Sequence, residues 1–69
     1  MNFSINLKKI RESKGIKREE LANELLNLGT IVKHTAIRDW EQGIREPKSY
    51  QDLENLTIIL NCSYDDLLK

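Results

Sequence analysis

The sequence has few of the residues on which disulfide-rich, metal-binding or membrane-spanning proteins depend. Its 69 residues include one cysteine, Cys62, and one histidine, so we expect no internal disulfide and no Cys/His metal site. No apolar run approaches the roughly 20 residues that cross a bilayer. Polar residues at Asn6, Lys8 and Lys9 interrupt the N-terminal segment, so it does not resemble a signal peptide. These absences predict a cytoplasmic domain in a reducing compartment, without metal, cofactor or membrane partner.

The short length and the absence of catalytic motifs argue against catalysis. A chain of 69 residues predicts one domain, residues 1–69, with a core too small to contain a large substrate cleft. The sequence offers no nucleophile–base pair and no glycine-rich loop that could cradle a phosphate. We therefore expect neither an enzyme nor a small-molecule substrate.

The formal net charge is zero, but the charges are unevenly distributed. Residues 1–18 contain six basic residues and one acidic residue, a net charge of +5. Residues 19–32 carry −3, residues 33–48 carry +1 and residues 49–69 carry −3. Because exposed charges are screened beyond about 8 Å at physiological salt, a partner interacts with the nearest patch and not with the total. A basic binding face is therefore possible, although the same lysines could be ordinary solvated helix surface.

Apolar residues recur at three- and four-residue spacing, which predicts helices and no strands. The predicted helices are residues 1–15 with Ser4 as N-cap, residues 17–28 with an inner stripe ending at Leu28, residues 33–43, residues 50–60 after the N-cap Ser49, and a short turn after Ser63. Gly15, Gly29, Gly43 and Asn61 are the predicted ends of the first four helices. These elements predict an all-α bundle with short connections.

The third of these segments is the most informative one. Ile37, Trp40 and Ile44 share one helical stripe and are predicted to face the core. The other faces carry short polar side chains that can hydrogen-bond, namely His34, Thr35, Arg38 and Asp39. We interpret the segment as a short helix that Trp40 anchors and that offers its polar side to a partner, although simple packing in a helical scaffold would produce the same pattern.

Five stretches of the chain together form a specific pattern. They are Leu7-Lys-Lys-Ile-Arg11, Gly15-Ile-Lys-Arg-Glu-Glu-Leu-Ala22, Ala36-Ile-Arg-Asp-Trp-Glu-Gln-Gly43, Arg45-Glu-Pro47 and Cys62-Ser-Tyr-Asp-Asp-Leu67. This pattern closely resembles the helix-turn-helix family of phage Cro proteins and lambda-type repressors. The stretches occur in the family's order and cover nearly the whole chain. The resemblance implies a lambda-repressor-like DNA-binding domain, a compact bundle of about five short helices that binds double-stranded operator DNA, usually as a homodimer.

The resemblance also assigns roles to individual residues. It implies a recognition helix from His34 to Gln42 in the major groove. The residues expected to reach base edges are His34, Thr35, Arg38 and Arg18, and those expected to contact phosphate are Lys17, Lys33, Arg45 and Lys48. Arg11 and Glu41 match positions that form a partly buried structural ion pair.

One departure from the family pattern concerns the turn before the recognition helix. More residues separate Leu21 from Ile37 than the family pattern has, and the additional residues lie within positions 26–32. They either lengthen the second helix or enlarge the turn. Lys33 is also a poor N-cap, so the third helix could begin later, towards Thr35.

Two functional hypotheses follow. The first is a sequence-specific transcriptional regulator, a repressor of phage or mobile-element type that reads operator DNA in the major groove. The alternative is a helix-turn-helix module for protein–protein interaction, such as an antitoxin or anti-repressor-like partner, without operator binding. The zero net charge and the acidic residues Glu19, Glu20 and Glu24 favour the alternative.

Overall fold

The computed structural model describes residues 2–69, and these residues form α-helices and connecting loops, with no strand. The helices are α1 (Phe3–Ser13), α2 (Arg18–Asn27), α3 (His34–Gln42), α4 (Tyr50–Leu60) and α5 (Tyr64–Leu68). The predicted all-α bundle of about five short helices is therefore confirmed. The predicted start of the first helix at Met1 lies outside the described residues. None of the helices within residues 2–69 has the length and apolar character that crossing a membrane requires.

Each of the first four helices is followed, within two residues of its end, by a residue with a left-handed backbone. Gly15, Gly29 and Gly43 have φ values of 70°, 96° and 76°, and Asn61 has a φ of 50°. At the end of α3, the amide of Gly43 donates to the Trp40 carbonyl and the amide of Ile44 donates to the Asp39 carbonyl. This paired arrangement satisfies two carbonyls that a helix end leaves free. The predicted helix ends thus coincide with sharp reversals of the chain.

The core is one apolar cluster to which every helix contributes. Its fully buried members are Leu7 of α1, Leu21 and Leu25 of α2, Ile37 of α3, Leu56 and Leu60 of α4 and Leu67 of α5. Helix α1 packs against α3 and α5, and α2 packs against α3 and α4. Because α1 and α2 both hold α3 on its apolar side, the opposite side of α3 is left for solvent or a partner.

Three sequence predictions about local structure are wrong. Ser4 is not an N-cap, because α1 begins at Phe3 and Asn2 occupies the cap position. Leu28 is 43% exposed and Ile44 is 67% exposed, although both were predicted to extend apolar stripes. Each lies just beyond a helix end, where the chain has already left the helical path. Its side chain therefore no longer follows the helical period.

Cys62 packs against the core, and this environment predicts a slowly reacting thiol. Burial raises the pKa of the thiol above its usual value, and the nearby Asp66 carboxylate raises it further. The thiolate is the nucleophile, so alkylation by iodoacetamide at pH 8 should be slower in the folded chain than in the same chain unfolded in urea. Measuring both rates by mass spectrometry tests this, and equal rates would contradict it.

Candidate nucleic-acid interface

Helix α3 has a buried side and a polar side. Ile37, Trp40 and Glu41 are buried, with Trp40 retaining 3% of its exposure. His34, Thr35 and Arg38 are exposed. The nine-residue helix therefore presents a short row of hydrogen-bonding side chains on one side, and the Trp40 indole packs the opposite side against the core.

The segment before α3 is an enlarged turn and not an extension of α2. Helix α2 ends at Asn27 and α3 begins at His34, so the turn comprises residues 28–33. Lys33 has an extended backbone with φ −95° and ψ 162°, and its carbonyl accepts from the Ala36 amide at 2.9 Å. Helix α3 therefore begins at His34, without the shift towards Thr35 that the sequence left open.

A buried hydrogen-bond network fixes the enlarged turn to α4. The Asn55 amide nitrogen donates to the Thr30 hydroxyl at 2.7 Å and to the Leu28 carbonyl at 3.3 Å. The Thr30 hydroxyl donates in turn to the Asp52 carboxylate at 2.9 Å. Thr30 and Asn55 are both buried. Every polar group of this network is paired, so it fastens Leu28 and Thr30 of the turn to α4.

Three basic side chains lie beside the N-terminal half of α3. Lys33, Arg45 and Lys48 line a groove of about 280 Å³ between the enlarged turn and the loop after α3. Thr35 also lines this groove, and Trp40 contributes to its wall. Lys33, Arg45 and Lys48 are exposed, so their charges are available to an anion that approaches this side of the helix. Two acidic residues, Glu46 and Asp52, line the same groove.

A second group of charges lies at the other end of α3. Glu41 is buried, and its carboxylate accepts from Arg11 Nε at 2.5 Å and from Arg18 Nε at 3.0 Å. Arg11 also donates to the Ile16 carbonyl at 2.8 Å. The hydrogen bond to Glu41 raises the pKa of Arg11 above its usual value. One carboxylate thus joins α1, α2 and α3.

The helix-turn-helix family's sequence model matches residues 7–67. The chain belongs to the XRE-type helix-turn-helix family. Its members are DNA-binding transcriptional regulators. One curated relative is the "Uncharacterized HTH-type transcriptional regulator YqaE" of Bacillus subtilis (strain 168), which is 39% identical over 67 residues. The match covers 97% of this chain and 53% of the relative, so the chain spans about half of that relative's length. No solved structure matches the chain.

In helix-turn-helix terms, α2 and α3 are the two helices of the motif and α3 occupies the position of the recognition helix. The predicted base-contacting residues His34, Thr35 and Arg38 lie together on its exposed side. Arg18 lies on a different helix and approaches the opposite end of α3 from His34, although Glu41, to which it is bound, is one helical turn from Arg38. It begins α2 and is bound to Glu41, and a rise of about 1.5 Å per residue puts Glu41 about 10 Å along the helix axis from His34.

The predicted phosphate-contacting residues form two groups. Lys33, Arg45 and Lys48 share the groove beside α3. Lys17 is separate from them, since it occupies the N-cap position of α2, where its own amide donates to the Glu20 carboxylate at 3.1 Å.

Sequence reasoning missed two interactions in this region. It paired Glu41 with Arg11 alone and did not find the bond to Arg18. It also placed Asp39 on the polar side of the helix without finding its partners: its carboxylate oxygens lie 3.5 Å from Arg38 Nη2 and 3.7 Å from Arg45 Nε. A signal for Asp39 was available, because a residue four positions after Thr35 lies on the same helix face.

Proposed function

We propose that this chain is the DNA-binding domain of a sequence-specific transcriptional regulator, a repressor of phage or mobile-element type. It occupies an operator and excludes polymerase. The supporting observation is the geometry of α3: its first residues expose hydrogen-bonding side chains, while Ile37 and Trp40 hold it to the core from the other side. A helix with this exposure fits the major groove of B-DNA.

The exposed residues have the chemistry that base recognition requires. Arg38 can donate two hydrogen bonds to a guanine, and the Thr35 methyl group can contact a thymine methyl group. His34, as the first residue of α3, lies at the end that enters the groove. These three side chains would read the sequence.

The basic residues beside the helix would hold the DNA backbone. Lys33, Arg45 and Lys48 contact phosphates on one side of the groove, and Lys17 contacts a phosphate at the N-terminus of α2. The bond between Arg18 and Glu41 occupies only Nε of Arg18, so both terminal nitrogens are free of that bond and can reach a phosphate. Because Arg18 begins α2 and its Nε is bound to Glu41 near the C-terminal end of α3, we favour a phosphate contact over a base contact for Arg18.

The proposal is tested by selecting bound sequences from a pool of random duplexes. We expect a defined motif, and an inverted repeat with half-sites about 34–36 Å apart if the regulator is a two-fold homodimer. Binding should weaken steeply as salt increases, because each phosphate contact releases counterions. Selection of no motif, together with binding that does not depend on salt, would contradict the proposal.

Arg38 and Arg45 are predicted to affect DNA binding differently. Arg38→Ala should weaken binding by about 1–3 kcal/mol and relax the preference at one base pair. Arg45→Ala, like Lys48→Ala, should weaken selected and random duplexes alike and reduce the salt slope by about 1. Fluorescence anisotropy on both duplexes at several salt concentrations measures these effects. Equal losses on both duplexes for Arg38→Ala would remove it from base reading.

A second function is favoured by an exposed apolar surface away from α3. Leu28 and Ile58 are 43% and 58% exposed and share a shallow hollow with Glu24, Asn27 and Ile59. Such a surface suits a protein partner, as in an antitoxin or anti-repressor-like module. An interface formed only with protein would not produce steep salt dependence towards duplex DNA, so the salt titration above separates the two functions.

A further inference from the structure

Asp39 lies at the centre of the exposed side of α3. It follows Ile37 by two residues, which rotates it about 200° around the helix axis from that buried side chain. Its side chain nevertheless retains only 18% of its exposure. The side chain is therefore covered by neighbours, although the backbone directs it away from the core.

The Asp39 carboxylate lies between two arginines, both of which were proposed above to contact DNA. Oδ1 of Asp39 lies 3.5 Å from Arg38 Nη2, and Oδ2 lies 3.7 Å from Arg45 Nε. The reversal at Gly43 brings Arg45 back towards Asp39, because the amides of Ile44 and Arg45 both donate to the Asp39 carbonyl, at 2.9 and 3.3 Å. One carboxylate thus forms surface pairs with the proposed base-reading arginine and a proposed phosphate-binding arginine, whose side chains are 51% and 65% exposed.

A carboxylate in this position affects different DNA sequences differently. It is only an acceptor, and in the major groove only the amino groups of cytosine and adenine can donate to it. Guanine and the O4 of thymine present acceptors, and the phosphates are negative, so all of these repel the carboxylate. When Arg38 and Arg45 leave Asp39 to contact DNA that has no suitably placed amino group, the Asp39 carboxylate gains no replacement partner.

We propose that Asp39 is a specificity-determining residue that holds Arg38 and Arg45 in the free protein and weakens binding to DNA in which no base amino group meets its carboxylate. This inference rests on the proposed DNA-binding function. The expected effect on affinity is opposite to that of the arginines. Removal of the Asp39 charge should strengthen binding to random DNA, whereas removal of an arginine should weaken binding.

The test compares Asp39→Asn with the unchanged chain on the selected duplex and on a scrambled duplex of equal length. Asparagine is nearly isosteric and can both donate and accept, so it is tolerated opposite any base. We expect the affinity for scrambled DNA to rise about three- to tenfold, with a steeper salt slope, as two surface pairs are released. The affinity for the selected duplex should change less or fall, so the ratio of the two affinities decreases.

Two further variants separate this role from a general charge effect. Asp65→Asn removes a carboxylate from α5 and changes the net charge by the same amount as Asp39→Asn. It should therefore strengthen binding to both duplexes by the same factor and leave the ratio of the two affinities unchanged. Asp39→Glu keeps the charge beside the arginines and should keep the affinity for scrambled DNA near its original value. Circular dichroism and thermal unfolding verify that all variants are folded.

The inference is overturned if Asp39→Asn leaves the affinity ratio unchanged, whether both affinities move together or neither moves. It is also overturned if Asp39→Asn weakens binding to the selected duplex and leaves binding to the scrambled duplex unchanged, since Asp39 would then act only as a base contact. Failure of the proposed function has a different signature. In that case the unchanged chain selects no motif and shows no salt-dependent binding to either duplex.

Discussion

Glu41→Gln should lower the free energy of unfolding by about 3–5 kcal/mol, the range measured when one partner of a buried ion pair is removed. The Glu41 side chain is 1% exposed and pairs with Arg11, whose side chain is 9% exposed. Glutamine keeps the shape but not the charge, so Arg11 loses its counter-charge while it remains largely buried. Arg18 can turn towards solvent, because its side chain is 35% exposed. Most of the loss therefore comes from Arg11.

Urea denaturation followed by circular dichroism measures this loss. Glu54→Gln is the matched control: Glu54 is exposed on α4, and its substitution should change stability by less than about 0.5 kcal/mol. Glu41→Gln could prevent folding of so small a domain, so the test includes a double variant, Arg11→Met with Glu41→Leu. Apolar replacement of both partners removes the unpaired charge and should restore most of the stability. A Glu41→Gln chain as stable as the Glu54→Gln chain would contradict the prediction.

Helix positions were predictable because short-range features specify them. The fourth helix was predicted as residues 50–60, which are its observed limits, because Ser49 provides a cap and Asn61 tolerates a left-handed backbone. Gly43 ends α3 for a similar reason. These features act between residues that are close in sequence, so helix limits can be predicted without knowledge of the three-dimensional fold.

Interactions between distant residues were less predictable. The sequence could not decide whether the additional residues before α3 lengthen α2 or enlarge the turn, because Asn55 and Asp52, which hold Thr30, are more than twenty positions away. The bond between Arg18 and Glu41 spans 23 positions and was missed for the same reason. Periodicity indicates which side of a helix is buried but not which residue of another helix it meets.

The polar side of α3 was predicted from the same periodicity, but its electrostatics were not. The spacing of Ile37 and Trp40 puts Thr35 and Arg38 on other faces, and both are exposed. The sequence alone does not show that Arg45 returns to Asp39, because that contact depends on the backbone reversal at Gly43. Side-chain pairing across a helix end requires the three-dimensional path of the loop.

Asn55→Ala should lower the free energy of unfolding by about 2–4 kcal/mol and disturb the enlarged turn. The Asn55 side chain is a donor to Thr30 and Leu28 and an acceptor from Gln51. Alanine removes these bonds and leaves the Leu28 carbonyl and the buried Thr30 hydroxyl with fewer partners. An unsatisfied buried polar group is destabilising by about 1–3 kcal/mol, and lost packing adds to that.

Urea denaturation of Asn55→Ala and of the control Asn23→Ala measures the effect on stability. Asn23 is exposed on α2, so its replacement should change stability by less than about 0.5 kcal/mol. Thr30→Val removes only the shared hydroxyl, and its effect should not add fully to that of Asn55→Ala, because both residues belong to one network. Full additivity of the two effects would show that the residues act independently.

The same variants test whether the network positions α3. Under conditions in which Asn55→Ala is fully folded, amide chemical shifts should change from Thr30 to Thr35 and remain close to their original values around Gly15, which lies outside this network. Because the turn leads directly into α3, a displaced turn changes the angle at which His34 and Thr35 meet a groove. The affinity for the selected duplex should then fall more than the affinity for a scrambled duplex. Equal affinities before and after the substitution, with unchanged shifts across the turn, would show that the network contributes stability alone.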